Sequence, residues 1–330
     1  MASELAQWLG KSCSRETELL RNMRFGIIGS GAIGAYYGAR LAQGGEDVHF
    51  LFHSDYDFVR QYGLTINSIA GDFHLDNVQA YHSTEDMPKC DVVIVALKST
   101  NQHLLKSLLP PLLKDDTWVL LIQNGIGLEE DFVRDFPHTT VLAGLAFICS
   151  TKTKPGVVDH TDLGRLNIGD YNSRNPERLA AIVETFRHAG VETEIVDYAR
   201  ARWQKAVWNM CFNGLTVVLD TPVNKLLEYQ STAQLCCDLI EEVIEAATAC
   251  GVSGIASDYA DGIMEMTRLM KPYSPSMKVD YDHHRPMEIY YLYTRPIEEA
   301  RKHGYDMKRM HMLEQQLRFI AVLSRQEKIT

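Results

Sequence analysis

The sequence has few cysteines, no long apolar run and no excess of positive charge. Its seven cysteines are odd in number and form no C-x-x-C pair, which indicates reduced thiols. No run approaches the roughly 18 apolar residues that cross a bilayer, so no membrane association is expected. The formal net charge of -10 argues against a nucleic-acid partner, because phosphate backbones are bound by basic surfaces.

The first 22 residues lack the basic start and apolar core of a secretory signal. Residues 1–22 are therefore interpreted as an N-terminal extension, which either packs as an added helix or precedes an alternative start at Met23. With no secretory signal and no disulfide pattern, a cytoplasmic location is expected.

A chain of 330 residues is expected to form two domains. Strand-like apolar runs alternate with helical segments up to residue 196, with a less regular stretch over 141–170 that suggests antiparallel strands. The last strand is predicted over 191–196. Beyond 197 every long segment is helical. The sequence therefore predicts an α/β fold, with an N-terminal Rossmann-type dinucleotide-binding domain over 23–196 and an all-α C-terminal domain over 197–330. Helices are predicted at about 199–219, 232–249, 257–270, 286–302 and 308–323.

A glycine motif near the amino end is the clearest functional signal. An apolar run leads into Gly29, Gly31 and Gly34 at G-x-G-x-x-G spacing, a helix-forming segment follows, and a second apolar strand completes a βαβ unit. These glycines allow a tight turn, close approach of a pyrophosphate and close packing of helix on strand. The helix N-terminus would hold the phosphates. The predicted cofactor-binding residues of this loop are Gly29, Ser30, Gly31, Ala32, Ile33 and Gly34.

The end of the second strand favours NADP over NAD. An NAD enzyme usually has Asp or Glu there to bind the ribose 2′-hydroxyl, whereas this chain has Phe52, His53 and Ser54. His53 and Ser54 are therefore predicted to meet a 2′-phosphate, with Arg60 as a further candidate. The alternative is that His53 and Ser54 form only a turn and a helix cap.

Polar residues follow two further apolar runs. Lys98 comes after the run 91–97, and Asn124 comes after the run 118–122. The carboxyl ends of parallel strands line the ligand crevice in such sheets, so both residues are predicted to lie near the cofactor. The alternatives are a solvated loop lysine and an asparagine that only forms a turn.

A polar stripe runs along an otherwise apolar helix of the second domain. Lys205, Asn209 and Asn213 recur at i, i+4 and i+8. Such groups are costly to bury without partners, so this face is expected to meet polar partners, water or a ligand. A lysine near a cleft of low dielectric constant holds its proton less tightly, which suits it to protonate a developing alkoxide. An internal hydrogen-bonded network is the structural alternative.

A second polar cluster contains Ser276 and a loop over 280–286, just ahead of Glu288. The adjacent histidines of this loop, His283 and His284, are not predicted to bind a metal, because neighbouring loop histidines cannot easily aim at one ion. Glu288 is predicted near the start of a helix, where a favourable interaction with the helix dipole is an alternative to a functional role.

The motifs together resemble those of the ketopantoate reductase family (2-dehydropantoate 2-reductase). They are, in order, the glycine loop, L-K-S, Q-N-G, W-x-K-x-x-x-N-x-x-x-N, S-P-S-M and R-P-M-E, and the resemblance covers about residues 23–319. It implies NADPH-dependent reduction of a 2-keto acid to a 2-hydroxy acid, with ketopantoate as the first candidate substrate, in the pathway to pantothenate and coenzyme A.

The resemblance also implies a role for each matching residue. Lys205 would be the general acid, and Glu288 would be the carboxylate that positions the substrate. The residues implied to contact the substrate are Asn209, Asn213 and Ser276, and those implied to lie beside the nicotinamide are Lys98 and Asn124.

Three positions depart from the pattern of the family. His53 stands where members often have Arg, Tyr273 stands where they can have Asn, and Tyr290 replaces Asp of the common E-I-D. A reductase of another 2-keto acid is therefore an alternative. A non-catalytic NAD(P)-binding sensor is another, although a sensor would not need Lys205.

The expected partners are a small 2-keto acid and NADP. Apolar faces beyond what one helical core needs also suggest a homodimer.

Overall fold

The structure, a computed structural model, describes residues 23–326, and the extension predicted over 1–22 lies outside the described residues. The chain divides into two compact units. The first runs to Leu97 and includes Asn101–Gln123 and Phe132–Val196. The second comprises Lys98–Thr100, Asn124–Asp131 and the chain from Asp197 onward. Two short segments from the first 196 residues therefore belong to the second unit.

The described part of the first unit contains one ten-stranded sheet. Its strands are β1 (Arg24–Ile28), β2 (Asp47–Leu51), β3 (Leu64–Ser68), β4 (Phe73–Leu75), β5 (Gln79–Tyr81), β6 (Val92–Val95), β7 (Trp118–Leu121), β8 (Thr140–Lys154), β9 (Val157–Asp170) and β10 (Ile195–Val196). Six strands pair in parallel in the order β5-β2-β1-β6-β7-β8. This order is that of a dinucleotide-binding fold, so the prediction of a Rossmann-type domain is confirmed.

The remaining strands extend the sheet beyond β8. β8 and β9 form a long antiparallel pair, with Leu142 opposite Asp170, as the irregular stretch 141–170 predicted. β9 also pairs in parallel with β3 and β10, and β3 pairs antiparallel with β4. β10 is shorter than the strand predicted over 191–196, although the carbonyls of Glu192 and Glu194 still accept hydrogen bonds from β9.

The helices before residue 197 are short or lie against the sheet. They are α1 (Ala32–Gln43), α2 (Tyr56–Tyr62), α3 (Leu105–Leu108), α4 (Leu128–Asp135) and α5 (Pro176–His188), with 3₁₀ turns at Thr84–Asp86, Ser99–Leu104 and Pro110–Leu112. Every residue of β6 and β7 is buried, which is typical of parallel strands covered on both faces.

The second unit is helical, as predicted. Its helices are α6 (Tyr198–Val218), α7 (Val223–Glu228), α8 (Gln230–Ala249), α9 (Tyr259–Leu269), α10 (Ser276–Asp282), a π-helix (Tyr290–Thr294), α11 (Arg295–Lys302) and α12 (Lys308–Gln326). α6 packs against α8, α10 and α12, and its buried apolar residues lie at the centre of this unit's core. Within residues 23–326, no helix combines the length and apolar character needed to cross a bilayer.

Three details of the helical prediction were wrong. The six-residue helix α7 (Val223–Glu228) was not predicted. α10 occupies the start of the segment expected to be a loop over 280–286, because a seven-residue helix is too short to show a clear period. The helix expected from Pro286 begins later, and its first turns are the π-helix Tyr290–Thr294. Pro296 cannot donate a hydrogen bond to a carbonyl four residues back, and the wider π turn lies where that bond is missing.

Glu242 of α8 stabilises the first turn of α12. Its carboxylate is buried and accepts hydrogen bonds from the N–H groups of Arg309 (3.0 Å) and Met310 (2.7 Å). We expect Glu242→Gln to lower the free energy of unfolding by about 1–2 kcal/mol, because the charge at the helix N-terminus and one acceptor are lost. Urea unfolding measures this loss. Glu241→Gln, at an exposed site on the same helix, is the control and should change stability by under about 0.5 kcal/mol. Equal losses in both variants would contradict the assignment.

Candidate active site

The glycine loop between β1 and α1 has the geometry of a phosphate-binding turn. Gly29 has φ +95°, and a Cβ there would lie 2.5 Å from the backbone nitrogen of Leu97. A Cβ on Gly34 would lie 2.3 Å from the carbonyl oxygen of Gly29, so only glycine lets the helix approach the strand this closely. A Cβ on Gly31 would meet no atom within 4 Å, which leaves open space beside the turn.

The residues of this loop fit a dinucleotide. The open space at Gly31 lies at the N-terminus of α1, where the first N–H groups have no partner within the helix. The Ser30 hydroxyl is buried and has no hydrogen-bond partner among the described residues. The loop therefore offers hydrogen-bond donors that a pyrophosphate would satisfy. Ala32 and Ile33 belong to the first turn of the same helix.

The carboxylate nearest the end of β2 is not free to bind a ribose. Asp55 is 4% exposed and accepts hydrogen bonds from Lys152 Nζ (2.9 Å), the Ser54 hydroxyl (3.0 Å) and the Gly156 N–H (3.3 Å). Burial would raise the pKa of Asp55, but these donors outweigh burial and hold the pKa below its usual value. Ser54 is thus committed to Asp55, whereas His53 is exposed.

A second imidazole lies beside His53, and the sequence did not point to it. The rings of His53 and His82 stack with centroids 6.2 Å apart, and His82 also contacts the Tyr56 ring at 5.4 Å. Arg60 donates a hydrogen bond to the Tyr56 hydroxyl (2.7 Å), so its guanidinium is held against that tyrosine. Only the pairing of β2 with β5 brings His82, which follows β5, next to the end of β2.

In the second unit, Ser99 holds the carboxylate of Glu288. The Ser99 N–H and hydroxyl both donate to Glu288 Oε1, each at 2.7 Å. Burial raises the pKa of Glu288, and Asp280 adds to that rise, while the two Ser99 hydrogen bonds and the charge of Lys98 oppose it. The pKa of Glu288 therefore lies above its usual value. Ser99 was part of the L-K-S motif but was not predicted to act.

Asp280 links Lys98 to the same cluster. Asp280 is 3% exposed and forms ion pairs with Lys98 and with Arg285 Nε, the latter at 2.9 Å. The Lys98 side chain remains exposed, but its ammonium is held in place by the buried carboxylate of Asp280. A buried aspartate after S-P-S-M is a signal that sequence reasoning could have used, because an unpaired carboxylate is too costly to bury.

Lys205 lies on the polar face of α6, as the i, i+4, i+8 spacing predicted. Its side chain is half-buried. Loss of water around the ammonium and, to a smaller extent, the positive charge of Arg202 lower the pKa of Lys205, while the negative charge of Glu288 opposes the shift, and the net pKa is about 7. A lysine with this pKa can exchange a proton near neutral pH, as a general acid must.

Asn213, Asn209 and Ser276 lie on α6 and at the start of α10. Asn213 is 2% exposed, and its Oδ1 accepts the N–H of Met277 at 3.0 Å. This bond ties α6 to the first turn of α10, where Ser276 is exposed. Asn209 is half-buried, one turn after Lys205. The amide oxygen of Asn213 is thus used in an internal hydrogen bond.

Asn124 carries a buried acceptor without a partner. Its Oδ1 has no hydrogen-bond partner among the described residues. The turn that carries it packs on the π-helix: Gly125 has φ +126°, a Cβ there would lie 2.6 Å from Tyr291 Cβ, and the Ile126 N–H donates to the Tyr291 carbonyl at 3.0 Å. This oxygen is therefore able to accept a hydrogen bond from a ligand.

The second unit thus brings two pairs, Lys98 with Asp280 and Ser99 with Glu288, within electrostatic range of each other. Lys205 is within electrostatic range of Glu288. The glycine loop, His53 and Ser54 belong to the first unit. Across residues 23–326 the structure contains no group of three His, Cys, Asp or Glu side chains arranged to hold a metal.

The contrast between Gly31 and Gly34 tests the dinucleotide site. We expect Gly31→Ala to weaken NADPH binding about tenfold or more, because its methyl group enters the space for the pyrophosphate, with a stability change under about 1 kcal/mol. Gly34→Ala should instead lower the free energy of unfolding by about 1–3 kcal/mol, because its Cβ meets a backbone oxygen. Fluorescence titration with NADPH and urea unfolding measure the two effects. Unchanged NADPH affinity in Gly31→Ala would remove this loop from the cofactor site.

Comparison with known proteins identifies the family. The family model described as ketopantoate reductase PanE/ApbA matches residues 25–173, and its C-terminal counterpart matches residues 197–321. The 2-dehydropantoate 2-reductase of Nostoc sp. is 39% identical over 317 residues, covering 94% of this chain and 99% of the relative.

Two solved structures agree with this result. The 2-dehydropantoate 2-reductase of Geobacter metallireducens has a TM-score of 0.87 at 38% identity, covering 90% of this chain and 99% of that one. The enzyme of the same name from Methylococcus capsulatus has a TM-score of 0.83 at 29% identity, covering 92% and 98%. Together with the strand order of the first unit and the helical second unit, these matches show that the chain belongs to the ketopantoate reductase family of oxidoreductases.

Proposed function

We propose that this protein reduces 2-dehydropantoate (ketopantoate) to (R)-pantoate with NADPH, a step toward pantothenate and coenzyme A. The observation that carries the proposal is the position of Lys205 on the polar face of α6, within electrostatic range of the Glu288 carboxylate. There its pKa is lowered to about 7. Membership of the family and the 39% identical 2-dehydropantoate 2-reductase support the choice of substrate.

Reduction of a ketone requires a proton donor on the oxygen as well as a reductant on the carbon. When bound, the nicotinamide cofactor supplies a hydride to the carbonyl carbon. Lys205, in its ammonium form, donates a hydrogen bond to the carbonyl oxygen and transfers a proton as negative charge develops there. A lysine with the usual pKa would hold that proton more tightly, so the lowered pKa assists the transfer.

Glu288 has two roles in this proposal. Its carboxylate favours the protonated form of Lys205, and it accepts a hydrogen bond from a hydroxyl of the substrate. The two hydrogen bonds from Ser99 fix Oε1, which leaves Oε2 to meet the substrate. Asn209, Asn213 and Ser276 complete the substrate contacts, with Asn213 also holding the first turn of α10.

The end of β2 supports NADPH as the cofactor. Asp55 is turned inward onto Lys152, so no free carboxylate faces a 2′-phosphate from that position. His53 and His82 present two imidazoles there, which can donate hydrogen bonds to phosphate oxygens. Lys98 and Asn124 are proposed to lie beside the nicotinamide, where the buried Asn124 oxygen needs a donor.

The tyrosines that depart from the family pattern are explained by packing. The Tyr273 ring lies 6.1 Å from the Trp208 ring, and its carbonyl accepts the N–H of Val223. Tyr290 is 48% exposed and packs edge-on against Tyr291. These contacts give both tyrosines a packing role, so neither residue requires a different substrate.

We also propose a cytoplasmic homodimer. The exposed apolar side chains Met312, Phe319 and Leu323 on α12 support association of two copies.

The pH dependence of turnover should follow the pKa of Lys205. The ammonium form is the acid, so kcat/KM for ketopantoate is expected to fall about tenfold per pH unit above a pKa of about 7. The ionised form of Glu288, whose pKa is raised, would set the acidic limb. Loss of NADPH absorbance across a pH series measures the profile. A profile flat through pH 7 to 9 would contradict the role of Lys205.

The variant Lys205→Ala separates catalysis from cofactor binding. We expect kcat to fall about 10²–10⁴-fold, because the general acid is lost, while NADPH affinity stays within about twofold. Ketopantoate, a panel of other 2-keto acids and NADH in place of NADPH complete the assay. Turnover of another acid alone would identify a different reductase. NADPH binding without turnover of any acid by the parental protein would favour the sensor.

A further inference from the structure

A buried ion pair, formed by Glu129 and Arg202, lies one turn before Lys205 and takes no direct part in the proposed reaction. We propose that Glu129 and Arg202 together set the proton affinity of Lys205, with Arg202 as a positioning residue that acts through its charge. This inference rests on the proposed role of Lys205 as general acid, but the ion pair itself belongs to the fold of the second unit.

The geometry places Arg202 on the same face of α6 as Lys205. Residues three apart on a helix are neighbours, with Cβ atoms about 5–6 Å apart. Arg202 is 3% exposed, and Glu129, in the first turn of α4, is fully buried. Arg202 Nε donates to Glu129 Oε1 at 3.1 Å, and Nη2 donates to the same oxygen. The pair is therefore shielded from water and held in one arrangement.

Stability alone does not explain this ion pair. Removing two charges from water is costly, and apolar residues of similar volume often give an equally stable protein. Glu129 Oε2 is buried without a hydrogen-bond partner among the described residues, which adds to the cost. A permanent electrostatic effect on a nearby ionisable group is one reason for a protein to contain such a pair. Arg202 is placed to have that effect, because it lies one turn from Lys205 on the same helix face and is shielded from water.

Other charged groups on α10 and on the helices that pack against α6 have partners of their own. Glu288 raises the pKa of Lys205 and is itself bound by Ser99. Asp280 of α10 is paired with Lys98. On the helices that pack against α6, the buried Glu242 of α8 caps α12, and the buried Glu314 of α12 accepts from Thr294 and Arg318. Lys278, the buried cation of α10, is paired with Asp220 and Asp282. Arg202 is the positive charge that lowers the pKa of Lys205, and Glu129, as its counter-charge, weakens that effect.

Two variants should shift the pKa of Lys205 in opposite directions. In the paired variant Glu129→Gln/Arg202→Gln the positive charge is gone, so the pKa of Lys205 should rise by about one unit. In Glu129→Gln alone, Arg202 loses its counter-charge, so the pKa should fall. The control Arg200→Gln removes a positive charge from another face of α6 and should leave the pKa of Lys205 unchanged.

The measurement is the rate of Lys205 acetylation by acetic anhydride across a pH series, followed by mass spectrometry on the full chain without substrate. Only the neutral amine reacts, so the rate reports the pKa directly. If thermal unfolding shows that the paired glutamine variant does not fold, Glu129→Leu/Arg202→Met replaces it with apolar residues of similar size.

Turnover gives the second readout. The basic limb of kcat/KM should move to higher pH in the paired variant and to lower pH in Glu129→Gln. The inference would be overturned if the basic limb moved in the same direction in both variants, or moved no further than in Arg200→Gln. Absence of turnover in the parental protein would instead refute the proposed function, and the acetylation profile would still decide the role of the ion pair.

Discussion

The ammonium of Lys205, largely removed from water, is the constraint on which the second unit depends. A charged lysine in such a place loses hydration, and its pKa falls to about 7 because the surrounding protein only partly replaces the water. Two neighbouring charges have opposing effects on the pKa of Lys205: Arg202 lowers it, and Glu288 raises it. This intermediate proton affinity suits the proposed role of Lys205 as a general acid, and a fully solvated lysine would hold its proton more tightly.

Glu288 can act in this balance only because segments from the first half of the chain are held in the second unit. Ser99 fixes its carboxylate, and Lys98 pairs with Asp280 close by. The segment Asn124–Asp131 is held in the same unit by the Gly125 turn on the π-helix and by Glu129 on Arg202. The site is thus assembled from stretches more than a hundred residues apart, which explains why the unit includes pieces that follow β6 and β7.

Predictions from short-range pattern were the most accurate. The G-x-G-x-x-G spacing led to a turn in which Gly29 has positive φ and Gly34 touches a backbone carbonyl. The polar stripe of α6 lies where its period of four placed it. Errors arose where the signal was short or depended on a partner: α10 has only seven residues, β10 has two, and His82 reaches His53 only through strand pairing.

The sequence by itself determined the α/β order, the glycine loop, the polar helix and the set of motifs that marks the family, because each depends on residues close together in the chain. Only the tertiary structure decided how those residues are used. It turned Asp55 inward onto Lys152, assigned the Asn213 oxygen to the first turn of α10 and placed Arg202 with Glu129 beside Lys205. Burial and pairing between residues far apart in the chain determine the partners of these polar groups, and neither is visible in the local pattern of residues.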